Sequence, residues 1–124
     1  MSGADVHFLL TVRNQIKLYH WQTAIYARHM ATDKALEKFD KLVDEYVEIY
    51  MGKYGRPKLT ADTRVLRLHT LTDAGASRLI QSAIKHMLGP MTAKLNSAVD
   101  SDLVNIRDEM VALMNQLLYL FTLR

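Results

Sequence analysis

Helical periodicity runs almost without interruption along this chain. Apolar side chains recur at three- and four-residue steps through four stretches, and only 2 Pro and 5 Gly stand among 124 residues to break them. The first stretch covers residues 4–23, with Phe8, Leu9, Val12, Ile16 and Tyr19 on one face. The second covers residues 28–51, with Leu36, Phe39, Val43, Tyr46 and Tyr50 as a heptad-like seam, and ends at Gly52 and Gly55-Arg56-Pro57. Residues 53–72 connect it to the third, with a short helix expected over residues 61–68. The third starts at Thr72 or Asp73 and carries Leu79, Ile80, Ala83, Ile84, Met87, Met91 and Leu95; Gly89-Pro90 predicts a kink or break inside it. The fourth follows the capping cluster Asp100-Ser101-Asp102 and runs to the end through Leu103, Ile106, Met110, Met114, Leu117 and Phe121. The pattern predicts an all-α fold: one four-helix-bundle domain over residues 1–124. Its one longer crossover, between the second and third helices, is the ferritin-like variant of that architecture.

Composition narrows the chemistry. With no cysteine, disulfide scaffolds and thiolate zinc sites are excluded. The net charge of +3 is small and dispersed, so no strong polyanion-binding field is expected. There is no apolar run of the roughly 20 residues that span a bilayer, and residues 1–5 lack a basic leader, so the expected setting is cytoplasmic, without a membrane partner. No Gly-rich phosphate loop and no Ser/His/Asp elbow is present, which removes nucleotide-binding and hydrolase readings.

The second helix carries the informative residues. On a wheel at ~100° per residue with Val43 at zero, His29, Asp40, Asp33, Asp44 and Glu48 fall between roughly +40° and +140°, along one edge of the apolar seam. Imidazoles and carboxylates beside a core form a candidate surface for Fe, Mn or Zn. Asp40 reads as a salt-bridged or exposed neighbour. His29/Asp33 and Asp44/Glu48 are both i, i+4 pairs, so each pair converges on one face. The pairs lie ~22 Å apart along a helix, whereas metal–ligand bonds are ~2 Å long. One copy cannot close both around one ion; two antiparallel copies related by a two-fold axis could, giving two equivalent sites per dimer. His20, nine residues before His29, lies on the opposite face of an unbroken helix. It joins the set only if the chain turns between residues 22 and 28.

These residues resemble the Dps-type mini-ferritins: His20-Trp21 closing one helix, His29 opening the next, Asp33 four on, then Asp44 and Glu48 as a D-x3-E pair. The resemblance covers roughly residues 14–52. It implies iron as the metal, with His20, His29 and Asp33 as ligands from one subunit and Asp44 and Glu48 from its two-fold mate. Trp21 would pack beside the site. The implied activity is ferroxidase-type oxidation of Fe(II) by peroxide or oxygen, in a homo-oligomer that could reach a dodecameric shell. The His20–His29 interval is about three residues shorter than in that family, which implies a tighter turn, and the Lys-rich arm that some members use to hold DNA is missing. The strings HWQT, YARH, MGKYGRPKL and SDLVNIRDEM also resemble an uncharacterised family encoded by large DNA viruses of algae and protists. That likeness would place the chain in an infected cell's cytoplasm or a virion.

The remaining groups carry plainer readings. His7, His69 and His86 have no partner at ligand spacing, Tyr46 and Tyr50 read as core aromatics, and the 7 Met as core filler. Lys53, Arg56 and Lys58 form the chief basic cluster, a solvated loop that could contact phosphate or nucleic acid. The competing functional reading is a non-catalytic structural, virion or DNA-associated protein that keeps the scaffold with vestigial ligands.

Overall fold

A computed structural model describes residues 2–124. Four helices form: α1 (Gly3–Gln22), α2 (Tyr26–Tyr54), α3 (Asp73–Leu88) and α4 (Ser101–Leu120). Most of the expected seam residues form the core, with Phe8, Val43, Tyr50, Leu79, Ile84 and Leu95 partly buried against it. Leu9, Val12, Ile16 and Tyr19 of α1 bury against Leu36, Phe39, Leu42 and Tyr46 of α2, Ile80, Ala83 and Met87 of α3, and Leu103, Met110, Met114 and Leu117 of α4. In the cross-section α1 neighbours α2 and α3, and α4 neighbours the same two.

The connection over residues 55–72 runs the full length of α1. It starts beside the N-terminus of α1, where Ser2 bridges to Lys58. It passes His7, whose Nε2 meets the Val65 carbonyl at 2.7 Å, and then Gln15, whose side chain holds both backbone groups of His69. It ends beside the C-terminus of α1, where Tyr19 and Thr23 donate to Asp73. α3 therefore starts at the end where α1 stops, and every adjacent pair of helices is antiparallel. The fold is an all-α four-helix bundle with one long crossover between α2 and α3. Gly3 is required where the strap begins, since a Cβ there would stand 2.4 Å from the Lys58 carbonyl oxygen.

Several boundaries differ from the expectation. α2 begins at Tyr26 rather than 28, and it runs through Gly52 to Tyr54, capped by Gly55, rather than ending at 51. Residues 61–64 form a turn and bend and residues 65–68 have no regular structure, rather than a helix, because His7 and Gln15 of α1 take up backbone groups of the passing chain. Gly89-Pro90 ends α3 outright, so Met91 and Leu95 lie beyond it, although Met91 stays buried. α4 stops at Leu120, and the chain closes in a short turn. At the start of α3 it is Thr72 that caps, its hydroxyl accepting from the Gly75 N–H at 3.0 Å.

Candidate functional site

The turn between α1 and α2 occupies three residues, 23–25, and contains no glycine. Thr23 (φ −67°, ψ 140°) and Ile25 (φ −91°, ψ 112°) take extended backbone that any L-residue adopts. Thr23 closes the turn with its hydroxyl, which accepts from the Ile25 N–H at 3.1 Å. The chain thereby reverses within the interval that the sequence required.

This reversal brings His20 and His29 face to face. Their rings stack with centroids 4.0 Å apart and planes 15° from parallel. His20 Nδ1 lies 2.8 Å from the His29 carbonyl oxygen and 2.9 Å from Thr32 Oγ1; His29 Nδ1 lies 2.9 Å from the His20 carbonyl oxygen. Carbonyl oxygens only accept, so each Nδ1 is the donor, and the tautomer that satisfies this contact keeps its lone pair on Nε2. Thr32 is fully buried and donates to the Arg28 carbonyl, which frees its oxygen to accept from His20. Neither Nε2 has a hydrogen-bond partner among the described residues. A backbone carbonyl holding the far nitrogen of an imidazole is the usual support for a metal-binding histidine. Tyr26 extends the stack over His29 at 6.5 Å.

A polar knot behind the pair fixes the turn. Arg28 donates to the Tyr19 hydroxyl at 2.9 Å and to the Asp73 carbonyl at 2.7 Å, and its guanidinium lies 4.4 Å over the Phe121 ring. The Tyr19 hydroxyl and Thr23 hydroxyl both donate to Asp73 Oδ1. The Tyr19 bond holds the Asp73 carboxyl below its ordinary range, while burial, reinforced by that bond, pushes the Tyr19 phenol up. Spacing gave no role to Thr23, Arg28 or Thr32, because their partners are set by the turn itself.

The acidic residues lie apart from this pair. Asp33, Asp44 and Glu48 are exposed on the outer edge of α2, and none forms an ion pair or side-chain hydrogen bond among the described residues. No group of three His, Asp or Glu side chains among the described residues could hold a metal within one chain. α2 is unbroken from Tyr26 to Tyr54, so His29/Asp33 and Asp44/Glu48 stay ~22 Å apart along it. Asp40 pairs with Arg13 at 3.1 Å, as its reading as a salt-bridged neighbour anticipated. Trp21 is 66% exposed in the single chain, with Lys17 above its ring.

The basic cluster is smaller than the sequence suggested. Lys53 donates to Asp102 at 2.9 Å, to the Val99 carbonyl and to Asp100, so its charge is spent inside the protein. Arg56 and Lys58 remain exposed. Of the other histidines, His7 binds the strap and His86 stacks on Phe8 at 3.9 Å. Among the described residues no helix is long and apolar enough to cross a membrane.

Residues 20–121 match a family of unknown function, DUF5856, and the chain belongs to it. All five candidate ligands fall inside the matched segment. No curated protein and no solved structure matches the chain.

Proposed function

We propose that this chain binds Fe(II) at sites shared between two copies and passes the electrons to peroxide or oxygen, as a ferroxidase-type iron-sequestering protein. The observation that carries the reading is the His20–His29 pair. Both Nδ1 protons are committed to carbonyls nine residues away, which leaves two Nε2 lone pairs on one stack. Imidazole nitrogen with hard carboxylate oxygen is a donor set that fits iron. His20, His29 and Asp33 would form one half of the site, and Asp44 and Glu48 of a second copy the other, since reach along one α2 forbids closure within a copy. When bound, iron supplies the one-electron chemistry. The protein holds the imidazoles in the correct tautomer and contributes carboxylates that favour the ferric state.

Anaerobic Fe(II) titration with the oligomer's mass measured alongside tests this. Stoichiometric binding to an oligomer, lost in Asp44→Ala and in Glu48→Ala, is the expected result. Mixing His29→Ala with Glu48→Ala subunits should restore one of two sites in the heterodimer; no recovery despite verified subunit exchange defeats the shared site. Normal folding and assembly with no binding above background would favour the structural role, virion- or nucleic-acid-associated, on the same bundle.

A further inference from the structure

Three tyrosines stand one turn apart on α2 and lead out of the core. Tyr46 is 1% exposed, Tyr50 is half-buried and Tyr54 is 50% exposed. Their ring centroids are 6.4 Å and then 4.9 Å apart. At the outer end the Tyr54 hydroxyl donates to Asp100 Oδ1. Asp100 is a buried carboxylate that also accepts from Lys53 and from the Asn96 N–H. Among the described residues neither Tyr46 nor Tyr50 donates its phenol to a carboxylate. The ladder thus has one rung with a proton acceptor, and that rung is the one that meets solvent.

We infer that Tyr46, Tyr50 and Tyr54 form a route by which oxidising equivalents leave the bundle, with Tyr54 as the terminal donor and Asp100 as its proton acceptor. Removing one electron from a phenol yields a radical cation, a far stronger acid than any carboxylic acid. An oxidised ring without a base on its O–H therefore passes the deficit on, and the oxidised state settles where a base stands on the O–H. A one-electron oxidant of the class formed from peroxide takes an electron from an inner ring, and electrons move inward along the ladder to refill it. Tyr54 then loses the electron, its proton passes to Asp100 Oδ1, and a neutral phenoxyl radical and a carboxylic acid remain. A soluble reductant such as a thiol or ascorbate returns one electron at the surface, and the proton goes back to the phenol. Asp100 is held ionised below the ordinary carboxylate range by the Tyr54 hydroxyl and the Asn96 N–H, so it stays ready to accept.

The other tyrosines lack one part or the other. Tyr26 and Tyr119 are more exposed, at 74% and 63%, but neither phenol makes a hydrogen bond among the described residues. Tyr19 donates to Asp73, but it is 2% exposed and Arg28 donates onto the same oxygen, which opposes the loss of an electron there.

The test does not depend on the iron site. Because the chain has no cysteine, Glu45→Cys accepts a single ruthenium photo-oxidant next to the inner end of the ladder. After flash oxidation, the tyrosyl radical is followed by electron paramagnetic resonance and the oxidised tyrosines are mapped by mass spectrometry. Oxidation should concentrate on Tyr54. It should fall about tenfold in Asp100→Asn, in line with losing a bond to a charged acceptor, and by a similar factor in Tyr50→Phe, which removes the middle rung but keeps the ring. Tyr54→Phe should abolish the mapped product without unfolding the bundle, as circular dichroism would verify. Oxidation of Tyr26 and Tyr119 in proportion to exposure, or a Tyr54 yield indifferent to Tyr50→Phe, would overturn the proposal.

Discussion

Gln15 is the clasp that holds the crossover to α1, and its removal has a calculable cost. The side chain is 2% exposed and makes two reciprocal bonds to one residue: its Nε2 donates to the His69 carbonyl at 2.9 Å, and its Oε1 accepts from the His69 N–H at 2.5 Å. Gln15→Met keeps the length and most of the volume but breaks both bonds. His69 is exposed, so its freed backbone groups can turn to water and the penalty for burying unpaired polar groups is avoided. What remains is the net worth of two bonds, about 2 kcal/mol. For a domain of this size that corresponds to a fall in Tm of roughly 6–10 °C. Urea denaturation gives the free energy, and amide exchange gives its location. Protection should fall over residues 59–72 and persist in the buried turns of α2 and α4. A loss below about 0.5 kcal/mol, or uniform loss of protection across the bundle, would refute the clasp.

Other perturbations have equally definite signs. Gly55 ends α2 at φ +94° and ψ 173°, a region open essentially to glycine alone, so Gly55→Ala should cost about 1–3 kcal/mol by chemical denaturation although a Cβ there meets nothing within 4 Å. Asp73, Asp100 and Asp102 have carboxyls lowered chiefly by Tyr19, Tyr54 and Lys53 respectively. Their folded pKa values lie below the unfolded ones. They therefore add stability above roughly pH 4 that is lost as the pH falls through the folded values, and urea midpoints of wild type and Asp73→Asn should converge on acidification. Asp5 has the opposite sign: burial raises its carboxyl, so ionised Asp5 opposes folding at neutral pH. Asp5→Asn should raise the midpoint at pH 7 and lose that advantage below about pH 4.

The helices were readable from sequence because their signals are local. Leu36, Phe39 and Tyr46 are near neighbours in sequence, and helical spacing puts them on one apolar face before any partner helix is known. Gly89-Pro90 breaks α3 through its own backbone chemistry. What could not be read depends on partners far along the chain. A short helix is expected over residues 61–68, yet His7 and Gln15, 58 and 54 residues from their partners, take backbone groups of the strap. Lys53 looked free beside Arg56 and Lys58 because its acidic partners, Asp100 and Asp102, lie 47 and 49 residues away, at the start of α4. The acidic edge of α2 was legible as a stripe, since helix geometry alone sets it.

The histidine pair joins these two kinds of information. Spacing states that His20 and His29 need a turn between them, but it does not state that the turn can be made without glycine. Thr23 and Ile25 make it in extended backbone, and the turn is then tied to α3 through Asp73, which accepts from both Tyr19 and Thr23 while its carbonyl accepts from Arg28. Because the crossover carries the start of α3 to this end of the bundle, the strap and the stacked imidazoles are mechanically linked. Asp73→Asn should therefore weaken more than the N-terminus of α3. Its amide retains one acceptor oxygen for Tyr19 and Thr23 but loses the charge that strengthens both bonds, a change of about 1 kcal/mol or more. If the turn loosens as this linkage requires, His20 and His29 Nδ1 proton resonances should exchange faster with solvent in the variant. Unchanged exchange alongside a measurable loss of stability would show that the histidine stack holds itself without α3.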